Sequence, residues 1–110
     1  MKRIINHIPI LQYLRTLSIK DQKNLVFLAP KELLLTLSEI ALNLIHKNIA
    51  LSPPQILKLK KFEKQIVSLS EKKHSLTKRR KILRGGGFLK SFLDTTIPNL
   101  MLKLVRKHKK

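Results

Sequence analysis

The 110-residue chain has no cysteine, no tryptophan, one tyrosine, three glycines and six acidic residues. Without cysteine there is no disulfide framework and no thiolate to ligate a metal, which fits a reducing compartment. Few aromatics interleave the charges, so base stacking on single strands is not expected as a main mode of binding. No window of 18 apolar residues occurs, and no membrane span is predicted. The opening MKRIINHIPILQYL is basic, then apolar. Asn6, His7, Pro9, Gln12 and Arg15 interrupt it, and no small-residue cleavage site follows, so no signal peptide is expected.

What the chain does have is a core's worth of leucine and isoleucine, with 43% hydrophobic residues, and a net charge of +18. One domain is expected at this length. Self-repulsion on that scale points to a polyanionic partner, either nucleic acid or an anionic membrane surface. The charge is uneven. Residues 1–57 carry seven basic and three acidic groups, residues 58–84 eleven and two, and residues 85–110 six and one. This is a patch, not a uniform coat.

Three- and four-residue apolar spacing predicts an all-α fold. The expectation is a basic bundle of about four to five helices over residues 1–84, then a glycine hinge or processing site and an amphipathic basic tail over 85–110. Ile8, Leu11, Leu14 and Leu17 mark a first helix with Pro9 near its start, and a short segment from Asp21 to Leu28 follows. The stretch after Pro30 is apolar from Leu33 to Ile45 on nearly every side, which predicts a helix at the bundle's centre. Ser52 and Gln55 in "SPPQ" form a capping box for a helix with Ile56, Leu59, Phe62, Ile66 and Leu69 on one face. Ser75 caps a shorter helix that the glycines stop. Thr95, Thr96 and Pro98 break the tail into two stretches.

No constellation for catalysis is present. His7, His46, His74 and His108 are scattered, and Glu39 and His46 lie two helical turns apart. No metal-ligand spacing and no credible Ser/His/Asp order appears, so no catalytic residue, metal or cofactor is predicted. The basic run supplies the candidate site: Lys58, Lys60, Lys61, Lys64, Lys72, Lys73, Lys78, Arg79, Arg80, Lys81 and Arg84. Each that neutralises a phosphate releases condensed counterions, and without a helix-turn-helix consensus or finger spacing the binding is expected to ignore sequence. The plain alternative is a solvated basic face. In the tail, Phe88, Leu89, Phe92, Leu93, Ile97, Leu100, Met101, Leu104 and Val105 can lie in a membrane interface or pack on the bundle as a last helix. Packing is the expectation.

All three glycines fall in "KILRGGGFL". "LRGGG" fits a processing consensus that cuts between Gly86 and Gly87. Leu83 would fill an upstream apolar pocket, and Gly85, Gly86 and Gly87 would pass a cleft too narrow for a Cβ. Three glycines also serve as a helix terminator. "LRGG" matches the end of ubiquitin too, but it is internal here and no β-grasp strands precede it.

The order of elements from about Leu33 to Leu89 is "LSEIALNLIHKNIALSPPQ", a lysine-rich helix, a second basic run and a glycine cluster before an apolar tail. It resembles small basic proteins of adintoviruses and related polinton (Maverick) elements, a family likened to the mu-type core protein precursor of adenoviruses. The resemblance implies a virion-associated core or minor capsid protein that binds double-stranded DNA. It also implies an adenain-like viral protease and capsid proteins as partners, and a location in the host nucleus and the virion. Lys78, Arg79, Arg80 and Lys81 match the family's basic run, and Leu83, Gly85, Gly86 and Gly87 its cleavage site. Mu-type cores are arginine-rich, whereas lysine dominates here. Two other readings are a membrane-active protein with a releasable tail, and a cellular helical protein-interaction module.

Overall fold

A computed structural model of the chain describes the backbone of residues 2–108 and the side chains of residues 2–104. Seven helices follow one another: α1 (Lys2–Thr16), α2 (Ile19–Leu28), α3 (Lys31–Ile45), α4 (Pro53–Lys60), α5 (Glu63–Ser70), α6 (Leu76–Leu83) and α7 (Phe88–His108). The all-α class is as expected, and no strand occurs among the described residues. Six helices rather than four or five precede the glycines.

Several helix starts are set locally. Ser18, Ser52 and Ser75 each accept a hydrogen bond from a backbone N–H three residues on, satisfying a donor with no partner inside the helix. Gln55 returns the favour to the Ser52 N–H, completing the capping box.

The extra helix arises at Lys61–Phe62, where the expected single helix after Ser52 divides. Phe62 leaves helical geometry, with φ −105° and ψ 13°, and turns inward to lie 5.6 Å from the Phe88 ring. The turn gives α4 and α5 separate directions, and Ile56 is not buried with Leu59, Ile66 and Leu69. It is 53% exposed.

Two prolines also depart from expectation. Pro9 lies inside α1, and Pro98 lies inside an unbroken α7. A mid-helix proline costs about 3 kcal/mol through the lost N–H and the ring clash. Buried residues on both sides offset that cost. Ile4 precedes Pro9 and Leu11 and Leu14 follow it; Phe92 and Leu93 precede Pro98 and Leu100 follows it.

One apolar cluster runs through all seven helices. Helix α3 buries Leu33, Leu34, Leu37, Ile40 and Ala41 and packs on α1, α5 and α6, as its all-round apolar sequence requires. Helix α7 is a second axis, packing on α1, α2 and α4. Its Phe88, Phe92, Leu93, Ile97 and Leu100 are wholly shielded from solvent. Of the two readings of the tail, the structure has the last helix. Residue 84 is therefore not a boundary in the packing. The radius of gyration, 13.1 Å, is that of a compact chain of this length. Arg15 pairs with Asp94 at 3.2 Å, and the Lys90 ammonium donates to the Arg15 carbonyl at 2.8 Å, tying α1 to α7.

Candidate nucleic-acid interface

Helices α5 and α6 form a hairpin. Gln65 on α5 donates to the Gly85 carbonyl just past α6, while Ser68 near the end of α5 meets His74 just before α6. The two helices thus run antiparallel, with residues 71–75 as the connection. Most of the predicted cations are displayed from this hairpin and from α4 beside it.

Eight of the eleven are exposed: Lys58, Lys60, Lys61, Lys64, Lys72, Lys73, Lys78 and Lys81. Lys78 and Lys81 lie one helical turn apart on the outer side of α6. Lys64 lies one turn before Ser68, the residue that touches the hairpin connection, and Lys72 and Lys73 are in that connection. Two acids accompany them. Glu63 is exposed, and Glu71 pairs with Lys73 at 3.3 Å. Such a surface pair is worth little, so Lys73 remains a usable cation. The result is a lysine-dominated surface that opposes few charges of its own.

The three arginines do something else, and here the sequence reading is corrected. Arg79 is 5% exposed, so it cannot reach a phosphate. Its Nε donates to the His74 carbonyl. One terminal nitrogen donates to Ser38 Oγ and the Leu69 carbonyl, the other to the carbonyls of Glu71 and Lys72. Five N–H groups meet five acceptors, the full capacity of a guanidinium. Three of those acceptors are carbonyls at the end of α5 or just past it, where the helix dipole is negative and carbonyls lack intrahelical partners. Arg79 is a cap for α5 that also pins α3 through Ser38.

Arg80 is half-buried and donates to the Ala29 carbonyl at 2.8 Å, with its Nε buried and unbonded. It locks α6 to the end of α2. Arg84, also half-buried, lies 5.3 Å over the Phe27 ring, an arrangement that leaves part of its charge to solvent. The lysine face is thus mounted on an arginine frame. Sequence reasoning missed this division because lysine and arginine count alike in a net charge.

His74 brings a serine and a carboxylate together, a grouping the sequence reading did not foresee. Ser68 Oγ lies 3.2 Å and Glu71 Oε1 3.6 Å from the same ring nitrogen, Nε2. A relay needs the acid on one nitrogen and the nucleophile on the other. The cluster fastens the hairpin connection.

The glycines form a tight corner between α6 and α7. Gly86 and Gly87 have φ of +49° and +77°, in the left-handed region open chiefly to glycine. A Cβ on Gly85 would come within 2.7 Å of Gln65 Nε2. Leu83, the residue for a protease's upstream pocket, is 2% exposed, and Phe88 is in the core. An extended substrate strand therefore does not exist here in the folded chain. Gly86→Val should lower stability by about 1–2 kcal/mol, the cost of a side chain held in left-handed geometry, and Gly86→Asn by less. Urea unfolding of the two variants measures the difference; equal stabilities would show that the corner relaxes without strain.

In the tail, Lys103 donates to the Asn48 carbonyl, and Met101 and Leu104 are half-buried. Val105, counted in the tail's apolar set, falls outside the described side chains, as do the basic residues Arg106, Lys107, Lys109 and Lys110. Among the described residues, no three His, Asp or Glu side chains are grouped to hold a metal ion, and no helix is long and apolar enough to cross a membrane. No protein-family model, no curated protein and no solved structure matches the chain.

Proposed function

We propose that this protein binds double-stranded DNA without regard to sequence, as a core or minor capsid component of a virus or virus-derived element. The observation that carries the binding is the set of exposed lysines on and between α4, α5 and α6. Eight lysines stand there against two acids, on a rigid arginine-capped hairpin. Flexible lysines act as point charges on phosphates and do not impose the bidentate geometry by which arginine reads a base edge. The virion assignment, with its nuclear location and its protease and capsid partners, rests on the order of sequence elements. A membrane-active tail would need the apolar side of α7, which the core encloses.

Titration of the protein with unrelated duplexes at several salt concentrations tests the binding. With about six phosphates neutralised, log affinity should fall against log salt with a slope of about −5. Replacing Lys72, Lys73, Lys78 and Lys81 together by Gln should flatten that slope by about 3, without creating a sequence preference. A salt-independent affinity, or a strong preference for one duplex, would overturn the proposal.

A further inference from the structure

Eleven large hydrophobic side chains are exposed among the described residues, and four of them gather at one groove. Ile45 at the end of α3, Ile56 and Leu57 on α4, and Val67 on α5 line it, with Leu44 and Ile66 at its floor. The volume is about 510 Å³. The groove lies beside the turn at Lys61–Phe62 that ends α4, with Ile56 and Leu57 exposed and Leu59 buried. Leu57 is 70% exposed, and with Ile45, Ile56 and Val67 around the same groove it belongs to an apolar patch of the kind that marks interaction sites.

Charge selects the occupant. Lys60 lines the groove, Lys61 follows α4 directly, and Lys64 lies one turn before Val67 on α5, against a single acid, Glu63, on the wall. A second copy of a +18 chain would bring like charge to that rim. We infer that the groove takes an amphipathic helix of a partner protein, with its apolar stripe on Ile56, Leu57 and Val67 and acidic residues flanking the stripe. An apolar helix face read at i, i+3, i+4 and i+7 fits a groove walled by three helices, and acidic flanks meet Lys60, Lys61 and Lys64. This inference needs no nucleic acid and does not rest on the DNA reading. It adds a docking function to a basic protein, with a partner that recruits it.

The test uses the intact chain, free of nucleic acid, and a fluorescent synthetic helix of about 16 residues, roughly 24 Å long. The peptide carries leucine at i, i+3, i+4 and i+7 and glutamate on the flanks. A second peptide has the same composition in scrambled order, and a third has lysine for glutamate. The amphipathic acidic peptide should bind at least about tenfold more tightly than the scrambled one, since about 1.4 kcal/mol of apolar contact gives that factor. The lysine peptide should not bind. Leu57→Gln and Val67→Gln, both at exposed positions and checked for unchanged melting, should each weaken the acidic peptide about tenfold or more. Equal binding of the scrambled peptide, or affinity unmoved by Leu57→Gln, would overturn the inference and leave only charge attraction. A dimer in sedimentation equilibrium that Leu57→Gln dissolves would assign the groove to a second copy. Binding to anionic vesicles that Leu57→Gln abolishes would assign it to a lipid surface.

Discussion

A chain ending at Gly86 should not fold. Helix α7 supplies six buried apolar residues to the single core cluster: Phe88, Leu89, Phe92, Leu93, Ile97 and Leu100. Each such side chain contributes about 1.5–3 kcal/mol on burial, so their loss removes about 9–18 kcal/mol. The whole stability of a small domain is ~5–15 kcal/mol. Circular dichroism of the fragment 1–86 should show reduced helicity and no cooperative melting, in contrast to the full chain. Adding a synthetic peptide of residues 87–110 should restore part of the signal, because the fragment and the peptide together can bury the core that neither completes alone. A fragment that melts cooperatively by itself would mean that α1 to α6 are a self-sufficient bundle. The same packing bears on the cleavage reading. A protease would have to unwind the end of α6 to seat Leu83, and a cut after Gly86 would leave α7 held in the core instead of releasing it.

Arg79→Met should be the most damaging change at any position of the basic run. It leaves the carbonyls of Leu69, Lys72 and His74 without the Arg79 donor and the Glu71 carbonyl with only the His74 N–H. A buried acceptor stripped of its partner costs about 1–3 kcal/mol, and those nearer the surface recover water, so a total of about 2–4 kcal/mol is expected. Lysine has three donors and no planar fork, so Arg79→Lys should recover only part. Lys78→Gln and Lys81→Gln, one residue before and two after, should shift stability by no more than about 0.5 kcal/mol. Urea unfolding of the four variants decides the matter. If Arg79→Met unfolds with the wild type while losing duplex affinity, then Arg79 is a binding residue after all.

The contrast between Arg79 and its neighbours explains what could be read from the chain and what could not. The caps at Ser52 and Ser75 were legible because their partners, Gln55 and Lys78, lie three residues away. So was the central place of α3, since a helix apolar on every side has nowhere else to go. Arg79 was not legible. Its acceptors are made available only when α5 ends and α6 folds back along it, and a partner as remote as Ser38 leaves no trace in local spacing. The prolines misled for a related reason. The rule that proline ends a helix is a local one, and burial on both sides of Pro9 and Pro98 outweighs it. The break at Phe62 likewise depends on Phe88, far along the chain. The lysine face was legible as composition, and its separation from the arginines was not.

The pairing of α1 with α7 sets the order in which the chain can fold. From Thr16, where α1 ends, to Phe88, where α7 begins, the whole of the intervening sequence must be made before the two can meet. Ile4, Leu11 and Leu14 belong to the same core as Phe92 and Ile97, so the part of α1 that packs on α7 stays uncovered on the ribosome until the last helix emerges, while α3 can cover the rest earlier. Domains commonly fold from the amino terminus during synthesis. This one is built to wait. Its nascent chain is a polycation whose first helix has only α3 as an early partner, and closure of the two ends completes the core in one late step. The ring that α1 and α7 complete raises the mean sequence separation of contacts in an otherwise local, helical protein, and slows that step relative to an up-and-down bundle of equal size.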